Sequence, residues 1–301
     1  MKSILRKLYK SIPGKQSLFE PLRGKLSERW YRHLRFNGAF GVTLAGGEVF
    51  RMYHFDTAFE NRIFWEGLSR CWEPVSVEVW EALSRKAKVI LDVGSNTGVY
   101  SLIAVAAQPE ADVHAFEPLP KMFQKLEINN NLNGAKIKTH TTAMSDTSGE
   151  AILYDLPNNY MRQASLNASY IKGEAVEIRV PLARLDGFIE KHSLQQVDLM
   201  KVDVETHEPE VLKGMGKYLA DYRPTVLVEV LNDKIAHELL SLFRDAGYPY
   251  FYHIDEEKGL TETNIWVGKK SRNYIASSYD FAEDQTLSRF IIQNRPASEQ
   301  A

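Results

Sequence analysis

The strand-like run Lys88–Val93, with the loop Asp92-Val93-Gly94-Ser95-Asn96-Thr97-Gly98 at its end and an amphipathic pattern after it, constrains the fold most. The run is short and almost wholly apolar, as a strand buried on both faces must be. Apolar residues then recur at Val99, Leu102, Ile103 and Ala106, one face of a helix. The alternation continues with strand-like runs at 111–116, 137–143, 197–204 and 225–230. Helical patterns lie between or after them at 120–130, from Pro209 through Leu219, and at 233–246. This order predicts an α/β fold, a doubly wound and mostly parallel sheet with helices on both faces. Runs at 248–254 and 264–267, joined by Glu256-Glu257-Lys258-Gly259, predict a closing antiparallel hairpin. A ligand on such a sheet sits beyond the carboxyl ends of the strands, near the point where strand order reverses.

Before that pattern begins, the chain is different. The first 35 residues carry ten Lys or Arg against Glu20 and Glu28, whereas the whole chain of 301 residues has a net charge of −2. Two readings stay open for residues 1–35. One is a solvated helical arm that packs Ile4, Leu5 and Leu8; the other is peripheral contact with a membrane surface or another anionic partner. The acidic remainder argues against general nucleic-acid binding. One cysteine, Cys71, rules out an internal disulfide and fits a reducing compartment. With no stretch of about 18 apolar residues, the expectation is a cytoplasmic protein, with any membrane association at the inner face. The expected organisation is a basic arm and aromatic cap at 1–80, the α/β domain at 81–270 and a tail at 271–301.

The Asp92–Gly98 loop has too few glycines for a dinucleotide fingerprint, because position 96 is Asn. It also lacks the Lys-Ser/Thr of a phosphate loop. Gly94 and Gly98 permit a tight turn and close approach of a ligand to the backbone around Ser95 and Asn96. Glu117 ends the next strand, 25 residues after Asp92, where a carboxylate can accept both ribose hydroxyls. Such a clamp disfavours a 2′-phosphate, and the missing third glycine disfavours a pyrophosphate. A nucleoside with a cationic or zwitterionic tail remains, which describes S-adenosylmethionine, with Asp92 facing its ammonium. Ser145-Asp146 follow the third strand; Asp146 either accepts from an adenine amino group or is an ordinary turn residue.

These pieces resemble the FkbM family of methyltransferases over about residues 60–270. The matching residues are Trp72-Glu73-Pro74, the Asp92–Gly98 loop, Phe116-Glu117-Pro118, the Asn129–Asn133 run, Ala143–Asp146, Leu185-Asp186, Lys201–Glu205, and Arg223-Pro224 before the strand ending at Glu229. The resemblance implies a seven-stranded sheet, S-adenosylmethionine as methyl donor, and a hydroxyl acceptor on a sugar or a secondary-metabolite scaffold. The chain departs from the family pattern at Ser95, and at Thr206-His207 before Glu208. The latter change falls at the lip of the acceptor pocket. Alternatives are a non-catalytic nucleoside-binding scaffold and a macromolecular acceptor, such as a lipid-linked glycan or nucleic acid.

At the chemical end, Lys201, Asp203, Glu205, His207 and Glu208 follow one strand and Glu229 ends the next. Three readings stay open. His207, Asp203, Glu205 or Glu208 acts as a general base. Asp203, Glu205 and Glu229, with Glu208, hold a Mg²⁺-type ion that polarises the hydroxyl. Or the group is a structural ion-pair network. Two segments are expected to cap a small-molecule or glycan acceptor: 155–174, with Tyr160, Arg162, Ser165, Asn167 and Tyr170, and the aromatic stretch 55–74. The alternative for Phe55, Phe59, Phe64, Trp65 and Trp72 is core packing.

Overall fold

The computed structural model describes residues 14–70, 72–155, 165–166, 175–268 and 272–292. Cys71, residues 1–13 of the basic arm, and Tyr160, Arg162, Asn167 and Tyr170 lie outside them. In chain order the strands are β1 (Asn37–Thr43), β2 (Val49–Phe55), β3 (Val89–Val93), β4 (Asp112–Phe116), β5 (Lys138–His140), β6 (Ala143–Met144) and β7 (Gly149–Asp155). There follow β8 (Val176–Ala183), β9 (Leu199–Val202), β10 (Thr225–Glu229), β11 (Tyr250–Asp255), β12 (Gly259–Glu262) and β13 (Asn273–Ser277).

Eight of these form the central sheet, in the order β12-β11-β13-β10-β9-β3-β4-β5. From β5 to β10 every pairing is parallel. The sequence-predicted strands at 88–93, 111–116, 197–204 and 225–230 are all there, and the strand order reverses at β3. Register sets Asp92 of β3 beside Lys201 of β9, so both side chains leave the same face of the sheet.

Burial follows the alternation along β3. Ile90 joins one core with Phe64, Trp65 and Trp80 from the N-terminal region. Leu91 and Val93 join the other with Met200, Val202, Val211 and Leu239. Both faces are therefore covered, which is why β3 reads as a continuous apolar run. The helix Val99–Ala107 begins where Gly98 takes a left-handed φ of 84°. A Cβ there would lie 2.4 Å from Cδ1 of Leu126 in the helix Pro120–Leu132, so glycine lets this helix and the loop pack closely.

Three expectations need correction. The run 137–143 is two strands: β5 stays in the central sheet, while β6 pairs with β8 in a three-stranded sheet, β6-β8-β7. The second hairpin strand is β12, not 264–267, because pairing begins directly after the turn, at Gly259 opposite Asp255. The segment 271–301 is more than a tail: β13 inserts antiparallel between β10 and β11. Its residues Asn273–Ser277 are all buried. The central sheet thus has one strand beyond the seven expected, the edge strand β12. The N-terminal region is a hairpin, β1–β2, followed by the helices Ala58–Glu66 and Pro74–Ser84. No helix among the described residues is long and apolar enough to cross a membrane.

Candidate active site

A cleft enclosing about 1470 Å³, mouth included, opens at the carboxyl ends of β3, β4, β9 and β10. The Asp92–Gly98 loop forms its floor. Gly94 has φ 83°, and a Cβ on it would fall 1.9 Å from the carbonyl oxygen of Asp203. Only glycine lets the loop lie against the end of β9. The amides of Gly94 and Ser95 both donate to the carbonyl of Phe116 at 3.0 Å, which ties the loop to the end of β4.

Glu117 is buried and lines the cleft. Its carboxylate accepts from the Asn96 amide at 2.9 Å and the Leu119 amide at 2.8 Å. Those bonds use about two of its four acceptor positions and fix its direction. Burial pushes its pKa up to about 7. Asp92 is 1% exposed. One carboxylate oxygen accepts from the Ser101 amide at 3.1 Å and its hydroxyl at 2.6 Å. The other oxygen, Oδ1, is buried without a hydrogen-bond partner, as is Oγ of Ser95. Buried polar atoms of this kind cost about 1–3 kcal/mol unless something pairs with them, and both residues line the cleft.

Around Lys201 the cleft is acidic. Lys201 Nζ bonds Asp203 Oδ2 at 2.7 Å and lies 4.6 Å above the Tyr100 ring. Burial opposes its charge, yet Asp203, Asp92 and Glu73 together hold its pKa above the ordinary value. Glu229 is pushed up by burial and then by Asp203, Glu205 and Glu73. Glu73 is a residue that the sequence reading left without a role. It has a left-handed φ of 47° at the N-cap of the helix Pro74–Ser84, which aims it into the cleft. It accepts from the Tyr100 hydroxyl at 2.8 Å, and burial raises its pKa to about 7. The signal available in the sequence was the Glu-Pro pair opening a helix, but the fold alone brings residue 73 to the ends of β3 and β9.

Several expected roles change. Glu208 is fully buried and does not line the cleft. Its Oε1 accepts from the amides of Val204 and Thr206, each at 3.2 Å, so it braces the turn where Glu205 and Thr206 take φ of 53° and 81°. Ser145 and Asp146 stand behind the wall, and Thr142, Ala143 and Met144 line the cleft in their place. Ser145 is turned to Nε2 of His207 at 3.0 Å, and the Asp146 carbonyl is taken by Arg184. His207 lines the cleft, but its Nδ1 lies 3.6 Å from Glu210. Burial lowers its pKa.

The expected metal set is not assembled. Among the described residues no group of three or more His, Cys, Asp or Glu is arranged to hold an ion. Asp203 is turned onto Lys201, and Glu229 faces Arg272 at 3.9 Å. Of the aromatics, Phe64 and Trp65 are core, while Phe59 and Trp72 line the cleft.

Glu208 has a measurable consequence. Burial raises its pKa from 4.5 to about 8. Between those values the native state keeps a proton that the unfolded chain releases, so stability falls as pH rises through the window. Thermal melts from about pH 6 to about pH 9 should show Tm falling. Glu208→Gln keeps the accepting oxygen and should flatten that fall by a few degrees, at about 2–4 °C per kcal/mol. Parallel Tm–pH curves for the two proteins would contradict the assignment.

The cleft thus brings a buried carboxylate at the end of β4 and an unpaired carboxylate oxygen at the end of β3 to the side of the point where strand order reverses, between β3 and β9. The methyltransferase FkbM domain model matches residues 92–250, and the chain belongs to that family. It is 30% identical over 162 residues to Methyltransferase 1 of Beauveria bassiana, covering 48% of this chain and 65% of that protein. It is 27% identical over 239 residues to the 31-O-demethyl-FK506 methyltransferase FkbM of Streptomyces tacrolimicus, covering 70% and 86%. It is 27% identical over 172 residues to the hexuronic acid methyltransferase AglP of Haloferax volcanii, covering 53% and 68%.

Proposed function

We propose that the protein transfers a methyl group from S-adenosylmethionine to a hydroxyl on a sugar or secondary-metabolite scaffold. The observation that carries this reading is the unpartnered Oδ1 of Asp92 in a cleft that also presents Glu73, Asp203 and Glu229. Several carboxylates around one lysine favour a positively charged ligand. Glu117 supplies the acceptor positions for a ribose, and Asp92 those for an ammonium. When bound, the cofactor supplies an electrophilic methyl on a sulfonium centre. The relatives named for a 31-O-demethyl substrate and for a hexuronic acid support the acceptor class.

The protein's own task is to align a hydroxyl and remove its proton. Glu73 is the carboxylate best suited to that proton. Its pKa of about 7 leaves it half ionised near neutrality and still basic. Asp203 is held by Lys201, and Glu208 lies outside the cleft. Trp72 and Phe59, edge to face with ring centroids 5.1 Å apart, supply an apolar wall for the acceptor.

Incubating the protein with methyl-labelled S-adenosylmethionine and an extract of the source organism tests the reading. The label should enter a small molecule or glycan, in a linkage that survives mild alkali as ethers do. Label that is released by alkali, or that enters only nucleic acid, would overturn it.

A further inference from the structure

Lysines as well as carboxylates line the cleft. Away from the acidic end, its wall is one face of the helix Pro120–Leu132, with Lys121 and Lys125 one turn apart. Lys121 is neutralised: its ammonium bonds both oxygens of Asp155, at 2.7 and 2.6 Å. Lys125 differs. No hydrogen bond or ion pair joins its ammonium to any described residue. Its contact is with the face of Phe55, 5.0 Å from the ring centroid. The carboxylate that acts on it is Glu60, which is buried and bonded by the Thr57 hydroxyl; burial lowers the pKa of Lys125 and Glu60 counters that without a direct bond. A half-buried ammonium with an aromatic ring on one side and no hydrogen-bonded counter-ion is incompletely solvated. An anionic ligand group in the cleft completes it.

We propose that Lys125 is a specificity-determining residue that binds an anionic group, a carboxylate or a phosphate monoester, carried by the methyl acceptor. This rests on the methyltransferase reading above. The acceptor would then lie with its hydroxyl toward Glu73 and its anion toward Lys125. A neutral analogue of the same shape leaves the ammonium unpaired and binds more weakly.

The test uses the full chain saturated with S-adenosylhomocysteine, titrated by calorimetry with p-nitrophenyl glucuronide, p-nitrophenyl glucoside and glucose 6-phosphate. At least one anionic probe should bind about tenfold or more tighter than the neutral glucoside, the scale of one charge-assisted bond. Whether glucuronide or sugar phosphate does so identifies the anion. Lys125→Ala should erase the preference and Lys125→Arg should keep it, with S-adenosylhomocysteine affinity unchanged in both. The proposal is overturned by equal binding of all three probes, by no binding of any, or by a preference that survives Lys125→Ala. It is also overturned if Lys125→Ala weakens S-adenosylhomocysteine itself, which would assign the lysine to the cofactor's carboxylate. If the wild type fails to bind S-adenosylhomocysteine, the methyltransferase reading falls instead.

Discussion

Replacing Glu73 by Gln should lower kcat at saturating cofactor by about 10²- to 10⁴-fold, the range for removing a general base. The amide oxygen of the introduced side chain still accepts from the Tyr100 hydroxyl, the bond seen at 2.8 Å, and glutamine tolerates the left-handed N-cap conformation to the same degree as Glu. What disappears is a group able to take a proton. The wild-type pH profile carries the sign. Glu73 must be ionised to work, and burial holds its pKa at about 7, so kcat should rise with pH through about 7 and level above it. In Glu73→Gln that limb should vanish along with the rate. Glu117 has the same raised value, but its ionisation acts on cofactor binding and so on the rate below saturation; kcat at saturating cofactor separates the two. A Glu73→Gln enzyme with an unchanged rate and profile would pass the role to another cleft carboxylate, Asp203 first.

Glu117→Ala should weaken S-adenosylmethionine binding by about 1–3 kcal/mol, roughly 5- to 150-fold, through lost charge-assisted bonds to the ribose. The same carboxylate accepts from the amides of Asn96 and Leu119, so its removal also leaves the Asp92–Gly98 turn without a brace. Glu117→Gln separates the two effects. The amide oxygen still accepts one of those N–H bonds, while its NH₂ group cannot accept from a ribose hydroxyl. Both variants should therefore lose affinity, and Glu117→Gln should keep more of the thermal stability. Unchanged affinity in both would remove the ribose assignment.

The parallel half of the sheet was legible because β3, β4, β9 and β10 are buried on both faces and read as apolar runs. The placement of Asp92, Gly94 and Glu117 in the cleft was legible for a related reason: it follows from strand ends, turn chemistry and spacing along the chain. Residues whose roles depend on distant partners were not. β13 looked like a tail because its insertion between β10 and β11 is a long-range pairing with no local mark. Glu73 lies 19 residues before Asp92, and only the packing of the helix Pro74–Ser84 brings it to Tyr100. Glu208 had the composition of a catalytic carboxylate, but its burial and its bonds to Val204 and Thr206 make it a brace. The proposed metal ligands had the right chemistry at close spacing. Lys201 and Arg272 occupy Asp203 and Glu229 instead, and no set of three ligands is arranged among the described residues.

Asp92, Glu117 and the acidic end of the cleft are the groups proposed to hold S-adenosylmethionine. Isothermal titration of the wild-type protein with S-adenosylmethionine, and in parallel with NAD, tests this most directly. One site per chain with a dissociation constant in about the micromolar range, and no heat from NAD, is the expected result. Absence of S-adenosylmethionine binding at about millimolar concentration, or tighter binding of NAD, would contradict it.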